Sequence, residues 1–194
     1  MSELRTCHSC GKKRERLGTH WSQSEDCDFP SLSNEQIDIT IGLIMGDGSL
    51  NRGSKTPSVR VNMVEREEYM EYLSKKFGNM TSFCGRIEKS GASTFGYNGD
   101  VYQWRSRVHP QFNDFEHWYT DEGKVWPDNI ELTPTVLKHW YVGDGSIVKQ
   151  TNGSRPHISI GVENEKGNRN KINSMFSRAG LPEPDNFSDG GGWI

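Results

Sequence analysis

Residues 43–50 read Leu-Ile-Met-Gly-Asp-Gly-Ser-Leu, and residues 140–147 read Trp-Tyr-Val-Gly-Asp-Gly-Ser-Ile. The aspartates of the two stretches are 97 residues apart. The similarity continues downstream, where residues 54–61 parallel residues 153–160 and a charged stretch with a helical pattern follows each. Self-similarity at a fixed spacing is the sequence signature of a structural repeat. The core is therefore predicted to consist of two copies of one unit.

Each copy is predicted to begin with a helix that runs into its Gly-Asp-Gly. Ser33 fits the N-cap of the first helix, because apolar residues follow it at helical spacing. Thr133 and Pro134 open the second helix, since proline suits the first helical turn. Gly48 and Gly145 are natural stops for these helices.

Strands are predicted where apolar and polar residues alternate, over 57–64, 101–108 and 157–162. In the last of these, Ile158, Ile160 and Val162 share one face. Such strands bury one face and expose the other. The sequence thus indicates a pseudo-symmetric α+β protein with half-buried sheets.

Composition bounds the class of protein. Charged residues make up 25% of the 194 residues and aromatic residues 10%, which excludes a disordered chain. No apolar run approaches the roughly 18 residues that span a bilayer, and no secretory signal is visible. We therefore expect a cytoplasmic, reducing location, where cysteines are thiols or metal ligands. The net charge of −3 argues weakly against a nucleic-acid partner, so any such partner must depend on locally placed cations.

The paired aspartates, Asp47 and Asp144, have a chemistry of their own. A single Gly-Asp-Gly most simply forms a turn. A helix end carries unpaired carbonyl oxygens, and a carboxylate beside them begins a site for a hard cation. Two copies in matching contexts favour this second interpretation, because a two-fold repeat would bring both carboxylates together. Paired metal ions can clamp the attacking and leaving oxygens of a phosphodiester.

The repeat resembles the LAGLIDADG homing endonucleases in their single-chain, two-motif form. The motif letters align on residues 40–48 and 137–145, and the second copy resembles the variant with a Trp-Tyr or Trp-Phe pair before the acidic residue. This resemblance covers residues 34 to about 180. It implies that the two motif helices pack together and that each unit supplies a saddle-shaped antiparallel sheet lying in the DNA major groove. The resemblance further implies that the protein is encoded by a mobile intron and that one chain acts as a monomer on a double-stranded target.

The resemblance also implies the site. Asp47 and Asp144 match the catalytic metal ligands, and the carbonyls of Gly46 and Gly143 match the backbone ligands beside them. Lys124 matches a lysine that contacts the active-site water network. The implied reaction is Mg²⁺-dependent hydrolysis of both DNA strands with 3′ overhangs.

Two departures from the family pattern stand out. His139 occupies the small-residue position that Gly42 holds in the first motif, so the helix contact there is expected to be asymmetric. Only 50 residues follow Asp144, and the second unit is expected to be C-terminally incomplete. The predicted domains are residues 1–30, residues 31–130 as the first LAGLIDADG unit, and residues 131–194 as the second.

Candidate DNA-reading side chains lie on the polar faces of the predicted strands. A β-ribbon fits the major groove, where Arg, Asn and Gln pair with base edges. The alternative is that these faces are simply solvated. The candidates are Arg60, Asn62, Gln103, Arg105, Arg107, His157 and Ser159.

The first 30 residues carry a metal-ligand pattern, in which Cys7, Cys10, His20 and Cys27 are spaced Cys-x2-Cys-x9-His-x6-Cys. Such a set suits tetrahedral zinc, and zinc would supply folding energy to so small a unit. The alternative is a flexible segment with scattered thiols. We predict a structural zinc module.

Two other functions remain open from the sequence. The same fold could serve as a DNA-binding protein that does not cleave, which the acidic balance and the short second unit favour. It could also serve as an intron maturase that binds RNA. Retention of both aspartates and of Lys124 favours the nuclease.

Overall fold

The structure is a computed structural model of the chain. It describes residues 4–53, 56–87, 99–121, 123–149, 156–162, 165, 168–187 and 194. The helices of these ranges are α1 (Leu17–Gln23), α2 (Asn34–Met45), α3 (Glu67–Phe77), α4 (Pro134–Asp144) and α5 (Arg169–Arg178). The strands are β1 (Arg5–Thr6), β2 (Lys13–Arg14), β3 (Ser49–Asn51), β4 (Ser58–Val64), β5 (Thr81–Ile87), β6 (Val101–Ser106), β7 (Tyr119–Thr120), β8 (Gly123–Lys124), β9 (Gly145–Val148) and β10 (His157–Ile160). No helix in the described ranges has both the length and the apolar character to span a membrane.

The chain divides into two compact units that are not contiguous in sequence. The first comprises Met1–Gln36 and Leu50–Asp114, and the second comprises Ile37–Ser49 and Phe115–Ile194. Most of α2, the first motif helix, thus belongs with α4, the second motif helix. The units therefore cut across the sequential boundaries at residues 30 and 130.

A four-stranded sheet forms the body of the first unit, in the order β3-β4-β6-β5. β6 pairs antiparallel with both β4 and β5. The predicted alternation of β4 is confirmed, because Val59, Val61 and Met63 are buried while Arg60 is exposed. On β6, Trp104 is fully buried.

Helix α3 covers the buried face of this sheet. Its apolar residues Met70, Leu73 and Phe77 recur at helical spacing and are all buried. The ring centroid of Phe77 lies 4.6 Å from that of Trp104. Burying each of these large side chains contributes about 2–3 kcal/mol. The helix ends at Gly78, whose positive φ of 48° suits glycine.

The N-terminal segment packs on one end of the sheet. The guanidinium of Arg5 donates to the carbonyl of Thr81 at 2.6 Å, which joins β1 to the start of β5. His109 Nε2 lies 2.8 Å from the carbonyl oxygen of Pro30, and its ring lies edge-on to Phe29 at 5.4 Å. These contacts make the first 30 residues part of the first unit.

Both motif helices begin where the sequence predicted. Ser33 Oγ accepts the backbone N–H of Gln36 at 3.2 Å, and the Gln36 side chain accepts the N–H of Ser33 at 2.9 Å. This is a capping box. Thr133 Oγ1 accepts the N–H of Val136 at 3.2 Å, with Pro134 as the first helical residue.

Helices α2 and α4 approach each other through glycines in the second unit. A Cβ on Gly42 would lie 2.5 Å from the carbonyl oxygen of Val136 and 2.7 Å from the Cβ of His139. A Cβ on Gly46 would lie 3.4 Å from the Cα of Gly143. The predicted asymmetry is confirmed, because glycine on one helix makes room for a buried histidine on the other.

The second unit contains a two-stranded antiparallel sheet of β9 and β10. Ile160 is buried and exchanges both of its backbone hydrogen bonds with Ile194, at 2.9 and 3.0 Å. Ile158 was expected on the buried face, and this is wrong. Ile158 is 64% exposed, as is its cross-strand partner Ile147 at 61%.

Other predicted strands need correction as well. The strand predicted over 101–108 ends at Ser106, and the strand predicted over 157–162 ends at Ile160. Strand β5 was not predicted at all. Its alternation is interrupted by Gly85 and by a register shift between Thr81 and Phe83.

We predict that Gly42→Ala destabilises the chain by about 2–4 kcal/mol, because the new methyl group would overlap the backbone of α4. Urea unfolding followed by circular dichroism measures the change. Gly53→Ala is the control, since its Cβ would meet its nearest neighbour, Asn51 Oδ1, at an ordinary 3.4 Å. An equal, small effect of both substitutions would contradict the tight contact.

Candidate functional site

The two Gly-Asp-Gly stretches meet at the C-terminal ends of α2 and α4. A Cβ on Gly143 would lie 2.8 Å from the backbone nitrogen of Asp47 and 3.2 Å from the Cα of Gly46. Asp144 is the last residue of α4. The backbones of both predicted aspartates therefore lie close together, at the C-terminal ends of the two helices.

The two carboxyl groups influence each other. Burial raises the pKa of Asp144 to about 6, and the nearby charge of Asp47 contributes to this rise, while Lys124 opposes it. Burial also raises the pKa of Asp47, again opposed by Lys124. Asp47 is exposed to solvent by surface area, yet the surrounding protein desolvates its carboxyl group. A site that resists negative charge in this way favours a bound cation.

Lys124 lies against the end of α2. Its Nζ donates to the carbonyl oxygens of Ile44 at 2.7 Å, Gly46 at 3.1 Å and Gly48 at 3.2 Å. An ammonium group has three donors, and it stabilises the negative end of a helix. Burial lowers the pKa of Lys124, and the two aspartates raise it. The predicted lysine is thus held beside both carboxylates.

The candidate metal ligands at these helix ends suit a hard divalent cation. They are the carboxylate oxygens of Asp47 and Asp144 and the backbone carbonyl oxygens of Gly46 and Gly143. Mg²⁺ prefers such oxygen ligands. The Gly46 carbonyl already accepts from Lys124, but a carbonyl oxygen has a second lone pair.

Four of the predicted DNA-reading residues lie opposite one another on two strands of the first unit. Arg60 of β4 pairs with Arg105 of β6, and Asn62 pairs with Gln103. The Gln103 amide donates to Asn62 Oδ1 at 2.8 Å. Two arginines directly across a sheet repel each other, and an anion between them would relieve that repulsion.

The other three predicted contacts lie elsewhere. Arg107 follows the last residue of β6, and its Nε donates to the carbonyl of Asn79 at 2.8 Å. His157 and Ser159 are on β10 in the second unit, paired with Val148 and Ser146.

Strand β5 adds residues that were not predicted from the sequence. Phe83 lies opposite Arg105, and Ser82 Oγ lies 3.4 Å from the Nε of Arg105. The sequence gives no clear signal for this strand, because residues 81–84 read Thr-Ser-Phe-Cys and do not alternate between polar and apolar. The polar face is therefore wider than predicted.

The four predicted zinc ligands gather in the first unit. The ligand atoms of Cys7, Cys10, His20 and Cys27 all lie within 4.8 Å of one another. Gly11, at a φ of 68°, closes the turn after Cys10, where the N–H of Gly11 donates to the carbonyl of Cys7.

The hydrogen bonds around Cys7 favour its thiolate form. Burial disfavours its ionisation, but hydrogen bonds from the Cys10 backbone, the Trp21 indole and the Ser9 backbone outweigh this and lower its pKa to about 5. The indole nitrogen of Trp21 lies 3.3 Å from Cys7 Sγ. A thiolate is the form that binds metal.

Comparison with known proteins places this geometry in a family. A model of the LAGLIDADG DNA endonuclease family matches residues 37–179. The DNA endonuclease I-ChuI of Chlamydomonas applanata is 26% identical over 131 residues, 60% of this chain and 60% of its own length. The uncharacterized protein MJ1098 of Methanocaldococcus jannaschii is 26% identical over 160 residues, 77% of this chain and 62% of its own. The chain thus spans about three fifths of these relatives.

A third relative, the cytochrome b mRNA maturase bI2 of Debaryomyces hansenii, is 24% identical over 59% of this chain and 47% of its own length. Among solved structures, the homing endonuclease I-WcaI bound to its DNA recognition sequence matches with a TM-score of 0.72. That match covers 92% of this chain and 80% of the other at 16% identity, which shows a shared fold. Because the family model covers well over half of its length, the chain belongs to the LAGLIDADG DNA endonuclease family.

Proposed function

We propose that this protein is a site-specific endonuclease that cleaves both strands of DNA with a divalent metal ion, expected to be Mg²⁺. The observation that carries the proposal is the meeting of two Gly-Asp-Gly helix ends beside a half-buried lysine, Lys124. Family membership and the DNA-bound structure of similar fold support it.

In this proposal, Asp47 and Asp144 hold the metal with the carbonyls of Gly46 and Gly143. When bound, the metal supplies Lewis-acid activation of the phosphodiester and of water. The raised pKa values of both carboxyl groups mean that their charge is poorly compensated without a cation. Lys124 keeps the helix end in place and adds positive charge where the scissile phosphate would lie.

Double-stranded DNA is the proposed partner of the polar sheet face. Arg60, Asn62, Gln103 and Arg105 form one patch of side chains able to bind base edges or phosphates. His157 and Ser159 would supply the corresponding contacts of the second unit, and Arg107 would contact the backbone at the strand end. We propose that one chain binds as a monomer.

A second candidate function is RNA binding as an intron maturase. The similarity to a cytochrome b mRNA maturase favours it. The same polar face would then bind RNA, and the carboxylates would not be required. Cleavage of DNA by the purified chain separates the two functions.

We also propose that the Cys/His cluster binds one structural zinc ion. Its four ligand atoms have the number and chemistry of a closed tetrahedral site, and the lowered pKa of Cys7 supports a thiolate ligand. Zinc would hold the N-terminal segment against the sheet.

We predict that Asp47→Asn and Asp144→Asn each reduce cleavage at least about a thousandfold, because each removes a charged metal ligand. The measurement is recovery of cut ends from a randomised duplex library with Mg²⁺, with Asp114→Asn as the exposed control. DNA affinity in Ca²⁺ should stay within threefold. Equal cutting by all four proteins would refute the assignment.

The raised pKa of Asp144 makes a second prediction, for the metal-free protein. A carboxyl group with a pKa above its unfolded value destabilises the fold once it ionises, so stability is lost as the pH rises through about 4 to 6. Asp144→Asn should therefore be more stable than the wild type at pH 7.5, by about 1 kcal/mol after allowance for solvent screening. The gain should vanish at pH 4. Thermal unfolding at both pH values in EDTA tests this, and a loss of stability at pH 7.5 would contradict it.

For zinc, we predict one ion per chain by elemental analysis of protein purified without chelator. Cys10→Ser and Cys27→Ser should each lose most of it, whereas Cys84→Ser, outside the cluster, should retain it. Unchanged zinc in the first two variants, or none in the wild type, would refute the site.

A further inference from the structure

The backbone of Trp126, two residues beyond Lys124, is held by a buried pair of opposite charges. Glu165 Oε1 accepts the N–H of Trp126 at 2.6 Å, and Lys171 Nζ donates to the carbonyl of Trp126 at 2.5 Å. The two charged groups are 3.0 Å apart. The Glu165 side chain has no exposed area, and that of Lys171 keeps 12%. The pair therefore binds both the backbone N–H and the backbone carbonyl of Trp126.

Further contacts fix the pair itself. The Asn168 amide donates to Glu165 Oε2 at 2.8 Å, and Lys171 Nζ also lies 3.4 Å from Asp128 Oδ1. Lys171 projects from α5, whose Ile172 is fully buried. Lys171 is thus held by a helix that packs into the core, and Glu165 is held by its hydrogen bonds to Trp126, Asn168 and Lys171.

General stability does not explain a buried ion pair at this position. Desolvating two charges costs about as much as their attraction returns, and apolar replacements are often neutral or stabilising. Such a pair can instead fix the orientation of the groups that it binds, because charge-assisted hydrogen bonds are short and geometrically restrictive. Here the oriented group is the backbone of Trp126, in the same segment as Lys124.

Fixing the backbone of Trp126 also restricts the position of Lys124, which is only two residues away. Two residues of extended chain span only about 7 Å. The ring of Trp126 lies edge-on to Trp140 of α4 at 5.2 Å, and the N–H of Val125 donates to the carbonyl of Trp118 at 2.7 Å. With residues 125 and 126 fixed, the Lys124 ammonium is directed to the end of α2.

We propose that Glu165 and Lys171 are positioning residues for cleavage, which act by holding Lys124 beside Asp47 and Asp144. This inference rests on the proposed endonuclease function. Loss of the pair would leave DNA binding intact and slow the chemical step, because small displacements of an active-site group carry a large rate penalty.

The first test compares Glu165→Gln, Lys171→Gln and the exposed control Glu35→Gln, which loses the ion pair with Lys76. We expect about a tenfold lower single-turnover cleavage rate in Mg²⁺ for the first two, and affinity in Ca²⁺ within about twofold of wild type. The control should match wild type in both. If one of the first two variants fails to fold, as judged by circular dichroism, the other decides.

A double-mutant cycle tests whether the pair acts through Lys124. In a Lys124→Met background, Glu165→Gln should slow cleavage by less than about twofold, since the group it positions is gone. A further tenfold loss would overturn the proposal in favour of a merely structural role.

A readout that needs no cleavage separates this inference from the proposed function. The side-chain ammonium of Lys124 can be followed by nitrogen NMR in the metal-free protein, assigned from Lys124→Met. Glu165→Gln should shift this signal or accelerate its hydrogen exchange, whereas Glu35→Gln should not. An unchanged signal would refute the positioning role, even if the wild type cleaves DNA. A changed signal with no cleavage by the wild type would keep the positioning and refute the nuclease.

Discussion

The candidate site and the second unit around it depend on the contact between the two motif helices. Gly42 lets the backbone of α4 approach so closely that a single methyl group would overlap the carbonyl of Val136. Gly46 and Gly143 continue this contact to the helix ends, where Asp47 and Asp144 follow. Because helices are stiff, this contact fixes the places from which both carboxylates project. If α2 and α4 were farther apart, the two Gly-Asp-Gly stretches would form separate turns and their carboxylates could not share one site.

That same contact creates an electrostatic conflict. Two carboxyl groups gather where helix-end carbonyls already concentrate negative potential, and burial adds to the difficulty of ionising them. Lys124 compensates part of it by donating to three carbonyls at once. A divalent cation would compensate the remainder. Without a cation the ionised carboxyl groups destabilise the fold, so under the proposed function stability and activity would make opposite demands on Asp144.

Much of this could be predicted from the sequence, because the repeat and its caps are local signals. Ser33 and Thr133 begin the helices as expected, and the Gly42–His139 asymmetry follows from comparing the two motifs. Strand β5 could not be predicted, since a bulge and Gly85 interrupt its alternation. Glu165 could not be found either, because its role depends on a partner 39 residues away and a polar stretch gives no sign of burial. Ile158 shows the reverse error, in which an apolar pattern does not guarantee a covering layer.

If both aspartates hold one cation site at the touching helix ends, an ion bound there lies close to both motifs at once. Titration of the isotopically labelled chain with Mn²⁺ tests this most directly, because paramagnetic broadening falls off steeply with distance from the ion. We expect broadening at low Mn²⁺ to centre on the amides of both Gly-Asp-Gly stretches and to disappear in either Asp→Asn variant. Broadening confined to other acidic residues, or persisting unchanged in both variants, would contradict a shared site.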